Sequence, residues 1–200
     1  MKPVVVGISG ASGSILARQM VNALLEREVP TVVVCSNDAK LVWQEEMDES
    51  FGYYLSAWRE DPHFTDYGIH EMSAPIASGT YPTAGMVIVP CSMTSVASLA
   101  NGIANNLLLR AADVCLKERR NLVMVPRETP LHAIHLENLA RLARMGVVIM
   151  PPEPPFYLRP RGIDDVVSFF VGRILVALGL EDTLPEKYRY QGRTDRGTPH

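Results

Sequence analysis

The chain has 200 residues, room for one large domain or two small ones, and a hydrophobic content of 47% supports a sizeable core. Nineteen basic against 22 acidic residues give a net charge of −3, so no basic field marks a nucleic-acid binder, although a small phosphorylated ligand is compatible. Cys35, Cys91 and Cys115 are odd in number and sit in apolar surroundings, which favours buried reduced thiols over a disulfide or a metal site. A single lysine precedes the first strand, unlike a signal peptide, and no apolar run nears the roughly 20 residues of a membrane span. A cytoplasmic protein is expected.

Short Val/Ile-rich runs at 4–8, 31–35, 86–90, 122–125 and 147–150 read as strands apolar on both faces, as in a parallel sheet covered by helices. Helical patterns cover 15–26, 40–46, 96–117 with a break near Asn101-Gly102, 131–145 and 163–178. For the helix at 131–145, Leu131, Ile134, Leu139, Leu142 and Met145 predict a buried face, with Thr129 as cap, Pro130 at the first position and Gly146 at the end. The alternation predicts an α/β, doubly wound, mostly parallel sheet of flavodoxin-like or Rossmann-like type, as a single domain over 1–185. Residues 48–84, aromatic and polar but poor in aliphatics, read as a lid-like insertion, and 186–200 as a polar, mobile tail.

The first strand runs into GISGASG at 7–13 and then a helix. The spacing Gly7-x-x-Gly10-x-x-Gly13 departs from the dinucleotide fingerprint, so a mononucleotide such as FMN fits better than NAD. Backbone N–H groups at Gly10, Ala11 and Ser12, with the Ser12 hydroxyl and the helix dipole, can hold a phosphate; a merely tight turn is the alternative. Ser36 adds a hydroxyl after the second strand. After the third come Ser92, Met93, Thr94 and Ser95, helix caps or ligand contacts.

The next strand ends in Arg127-Glu128. Arg127 can make a forked contact with a phosphate or carbonyl and Glu128 can move a proton; a surface ion pair is the bland alternative. Arg110, Lys117, Arg119 and Arg120 near a helix C-terminus are explained by its dipole alone. His132 and His135 can share a helix face but lack a third metal ligand. Five prolines within 151–160 make a stiff segment that can present Tyr157 at a fixed place. Arg173, among apolar neighbours on the last helix, calls for an anionic partner if partly buried.

Four stretches taken together, GISGASG at 7–13, PCSMTSVA at 90–97, RAADVCLKERRNLVMVPRETPLHAIHLENL at 110–139 and PPEPPFYLRP at 151–160, resemble the UbiX family of flavin prenyltransferases, formerly labelled aromatic-acid decarboxylases. The resemblance covers nearly the whole chain. It implies a homo-oligomeric flavoprotein of the cysteine-decarboxylase-type superfamily that takes reduced FMN and dimethylallyl monophosphate. The prenyl group is joined to flavin N5 and C6, phosphate is lost and no metal is required. The product would serve a UbiD-type decarboxylase, and the assembly would be a dodecamer with the site at subunit contacts. By the same resemblance Gly10, Ala11, Ser12, Ser36, residues 92–95 and Arg127 hold FMN. Tyr157, Arg173 and Lys117 hold the dimethylallyl phosphate, with Arg110 and Ser78 in the same region. Glu46 lies beside the flavin and Glu128 near the phosphate; Glu46, Glu128, Ser12 and Lys117 form the catalytic set.

The family's C-terminal tryptophan corresponds to Tyr188 without an insertion and to Tyr190 with two residues inserted. A flavin-dependent cysteine decarboxylase is disfavoured because PCSMTSVA replaces its PASANT-like stretch. A non-catalytic FMN carrier would not need Lys117, Arg127, Glu128, Tyr157 and Arg173.

Overall fold

Strands apolar on both faces need helices above and below, and the chain supplies both layers. The computed structural model describes residues 1–190. Its strands are β1 (Val4–Ile8), β2 (Thr31–Cys35), β3 (Phe64–Tyr67), β4 (Gly85–Cys91), β5 (Asn121–Pro126) and β6 (Val148–Ile149). All pairs are parallel in the order β3-β2-β1-β4-β5-β6. This is the Rossmann strand order, whereas a flavodoxin sheet runs 2-1-3-4-5.

The helices are α1 (Ser14–Leu25), α2 (Asn37–Glu46), α3 (Phe51–Trp58), α4 (Met93–Ala100), α5 (Leu107–Lys117), α6 (Ala133–Arg144) and α7 (Ile163–Ala177). Alternation along the strands divides the core in two. Val4, Val6, Val33, Val87 and Val123 face a layer built by α1, α2, α3 and α7. Val5, Val32, Met86, Ile88 and Met124 face α4, α5 and part of α6. The three cysteines are free and buried, and burial pushes the Cys35 thiol up to about 12 and Cys115 to about 11.

The lid-like reading of 48–84 does not hold for its first half. Phe51, Trp58 and Phe64 are buried, and Trp43 stacks edge-on to Phe51 with ring centroids 5.2 Å apart. The segment therefore supplies α3 and the edge strand β3, its core contribution aromatic rather than aliphatic. The tail is also partly built in: Tyr188 is buried edge-on against Phe169 at 5.8 Å, while 191–200 lie outside the described residues.

Three helix expectations shift. Helix α2 starts at Asn37 rather than at residue 40, because Ser36 caps it. The break near Asn101-Gly102 separates α4 from α5, and α4 starts earlier, at Met93, because Ser92 caps it. Helix α6 starts at Ala133, not at Pro130, because His132 rather than Thr129 is its cap. Its expected buried face is largely open: Leu142 is fully buried, but Leu131, Ile134 and Met145 are exposed. These apolar side chains border the cavity described next or face outward.

Candidate functional site

Strand β1 lies between β2 and β4, and the connections from these strands leave on opposite faces. A crevice therefore opens at the carboxyl edge of the sheet, where open α/β folds bind ligands. Ser9, at the end of β1, ties the crevice walls together. Its hydroxyl donates to the Pro90 carbonyl at 3.2 Å and accepts from the Ser92 N–H at 2.8 Å. Gly10 is obligatory for packing, since a Cβ there would sit 2.5 Å from Asp38 Cβ. Gly13 has φ +119°, a conformation that favours glycine.

The N-terminus of α1 is already occupied by a carboxylate of the chain itself. Glu46, the last residue of α2, accepts from Gly13 N–H at 2.9 Å and from Ser14 N–H at 2.8 Å. Burial raises its carboxyl pKa, but hydrogen bonds from the Ser12 hydroxyl and from the Ser14 and Gly13 amides outweigh this and hold it below the usual carboxylate value. This corrects the expectation that the glycine turn and the α1 dipole together cradle a phosphate: the dipole end is taken. What the turn offers a ligand is the edge formed by residues 10–12.

That edge lines a cavity of about 820 Å³, within the range of small-molecule sites. Residues 92–94 at the start of α4 form a second wall, and Arg127 and Glu128 at the end of β5 a third. No ion pair joins Arg127 to Glu128 among the described residues, and the Arg127 guanidinium has no hydrogen bond there, so both remain available to a ligand. Among the described residues Glu128 accepts from the Thr129 N–H alone, at 3.1 Å. Ser36 caps α2 through the Ala39 N–H, and Ser95 is buried with its hydroxyl 3.1 Å from that of Ser92. These two support the walls but do not line the cavity.

The other expected residues lie elsewhere on the single chain. Lys117 ends α5 at the amino edge of the sheet, just before β5 opens at Asn121, and pairs with Glu118. Arg110 donates to the Ala77 carbonyl at 3.0 Å and pairs with Asp113 at 2.7 Å; Ser78 bonds Thr80. Arg120 clamps the loop before β4 through the Gly79 and Tyr81 carbonyls, a structural role. Arg173 is exposed rather than partly buried, on α7 in the opposite helix layer. Tyr157 is exposed, its ring 6.1 Å from that of Tyr190. One chain therefore does not bring Lys117, Tyr157 and Arg173 to the cavity.

The cavity also has walls that the sequence reading did not assign to it. Ser98 of α4 and Asn101 just after it line the cavity together with His132, His135 and Asn138 at and along α6. Their signal was the spacing of three between the histidines, weighed only as a metal motif. Among the described residues no group of three His, Cys, Asp or Glu side chains can hold a metal ion.

The crevice, its neutral hydroxyl-rich edges and the free arginine define an α/β nucleotide-type site, and the family described as Flavoprotein matches residues 1–175. A flavin prenyltransferase UbiX of Alkalihalophilus pseudofirmus is 44% identical over 194 residues, covering 92% of this chain and 94% of the relative. The chain belongs to the UbiX family of flavin prenyltransferases. Two solved structures superpose over almost their whole length. AnUbiX (PadA1), in complex with FMN and dimethylallyl pyrophosphate, has a TM-score of 0.87 at 36% identity, covering 97% of this chain and 99% of that one. A dodecameric FMN-dependent UbiX-like decarboxylase from Escherichia coli O157:H7 has a TM-score of 0.87 at 41% identity, covering 95% and 100%.

Proposed function

We propose that this protein transfers the dimethylallyl group of dimethylallyl monophosphate to N5 and C6 of reduced FMN, releasing phosphate and yielding prenylated FMN for a UbiD-type decarboxylase in the cytoplasm. The observation that carries the reading is one cavity at the switch point, edged by residues 10–12 and 92–94, with an arginine and a glutamate at the end of β5 that form no ion pair among the described residues. Reduced flavin supplies the nucleophilic nitrogen and carbon; the chain supplies position, charge and proton acceptors.

Ser12, hydrogen-bonded to Glu46, presents its hydroxyl to the cavity, and the proton that leaves as a bond to N5 forms passes through that hydroxyl toward Glu46. Arg127 grips an anionic or carbonyl oxygen of FMN. Glu128 protonates the departing phosphate and takes up the proton lost from C6, which requires its carboxyl to change state during the cycle. Lys117, Tyr157 and Arg173 stabilise the charge that grows on the leaving phosphate. Because the single chain holds them apart from the cavity, neighbouring copies of a homododecamer supply them, with Arg110 and Ser78 steadying the segment around Lys117. Tyr190 rather than Tyr188 covers the prenyl group: Tyr188 is committed to the core, whereas Tyr190 stands exposed beside Tyr157.

Anaerobic incubation with reduced FMN and dimethylallyl monophosphate, read by mass spectrometry and phosphate release, tests the proposal. Flavin heavier by one five-carbon unit with one phosphate per flavin is expected. Unmodified flavin would refute it, and decarboxylation of a cysteinyl substrate instead would favour the rival chemistry of this superfamily.

A further inference from the structure

The arm of the cavity between α4 and α6 takes no part in the chemistry above, and its side chains form a particular pattern. His132 and His135 stack with ring centroids 3.4 Å apart and planes 26° from parallel. His132 Nδ1 accepts from the His135 backbone N–H at 3.3 Å, so the proton of the neutral ring sits on Nε2. His135 Nδ1 is sealed from solvent with no hydrogen-bond partner among the described residues, which leaves its Nε2 as the atom able to meet a ligand. The Nε2 atoms of two stacked rings, that of His132 carrying its proton, are therefore the ones left for a ligand.

The surroundings narrow what they can bind. Arg141, the cation at the end of this arm, is spent on the Ala100 carbonyl and the Asn101 side chain. The remaining donors, the side chains of Ser98 and Asn138, are neutral and make no hydrogen bond among the described residues. Neutral donors match carbonyl oxygens better than a phosphate dianion, which is served by charged groups. Ile103 and Ile134, both largely exposed, edge the arm and suit the faces of a flat ring.

We propose that the His132–His135 stack is a recognition site for a planar heteroaromatic dione edge, and on the flavin reading above that edge is the pyrimidine end of FMN, its C2 and C4 carbonyls accepting from the two Nε2–H groups. The site thus grips the acceptor by two carbonyl oxygens that form no bond to the prenyl group.

Infrared difference spectra of the wild-type protein with FMN labelled with carbon-13 at C2 or C4 test this directly. The carbonyl bands should lie below those of FMN in an aprotic solvent. His135→Phe keeps the stack and leaves the backbone cap intact; it should raise one carbonyl band and weaken FMN binding about fivefold. His135→Gln, which restores a donor, should recover both. His132→Asn keeps a capping side chain, but its shorter amide does not bring a donor to the place of the imidazole Nε2, so it should move the other band. Wild-type bands at the aprotic position would overturn the proposal, as would unmoved bands in both His132→Asn and His135→Phe with FMN bound. Failure of the wild type to bind FMN would instead overturn the flavin reading and this site with it.

Discussion

Removing the Glu46 carboxylate is the most informative perturbation, because the geometry assigns it two separable effects. Glu46→Ala leaves the Gly13 and Ser14 amides at the start of α1 without acceptors. Loss of a capping acceptor costs about 1 kcal/mol, and loss of a negative charge at a helix N-terminus about 0.3–1 kcal/mol for an exposed group. Together these predict a destabilisation of about 1–2 kcal/mol, or roughly 2–8 °C in Tm for a chain of this size. Glu46→Gln, which keeps a carbonyl acceptor, should lose about half as much. The folded carboxyl pKa is depressed, so its contribution is complete above the ordinary value of 4.5 and fades as pH falls through the folded value. Wild type and Glu46→Ala should therefore converge in acid. The vacated amides should also accept an anion. If sulfate binds them about tenfold below its working concentration, it will stabilise the alanine variant by about 1.4 kcal/mol and the wild type by much less. Thermal scans at fixed protein concentration, with and without sulfate at pH 7 and pH 4, measure all of this. Equal Tm values at pH 7 and equal sulfate responses would refute the assignment of Glu46 to the α1 terminus.

Gly10→Ala forces a Cβ against Asp38 and should destabilise the fold by about 1–3 kcal/mol while weakening FMN binding, measured by denaturation and fluorescence titration. Tyr188→Ala should cost about 3 kcal/mol in denaturation experiments because the ring is buried against Phe169, whereas Tyr190→Ala should leave Tm within about 1 °C and lower kcat/KM for the prenyl phosphate. Glu128→Gln should leave FMN affinity near wild type and slow prenylated flavin formation at least about 100-fold in single-turnover assays. A wild-type rate in that variant would remove Glu128 from proton transfer.

The strands of the sheet interior were legible because β1, β2, β4 and β5 are apolar on both faces and bounded by turn residues, a pattern with few other solutions. Strand β3 was missed because FTDY at 64–67 is an edge strand with one buried residue, and its helix α3 contributes Phe51 and Trp58 rather than a run of Leu or Val. The loop residues of the cavity could be read from their place after strands. Glu46 could not be tied to the α1 terminus by spacing, since its partners lie 32 and 33 positions away across a strand. The histidines are visible as a pair, but the role of His132 as a cap depends on a backbone conformation, and Thr129-Pro130 carries the stronger capping signal in sequence.

Lys117 and the cavity lie at opposite edges of one sheet, and helix α5 runs the length between them. A rigid strut of that kind fixes the separation, so bending within one protomer does not bring the ammonium to the carboxyl-edge crevice. Retention of the flavin and turnover of the isoprenoid are therefore expected to part company on dilution: dispersed subunits would go on sequestering the yellow nucleotide long after catalysis had stopped.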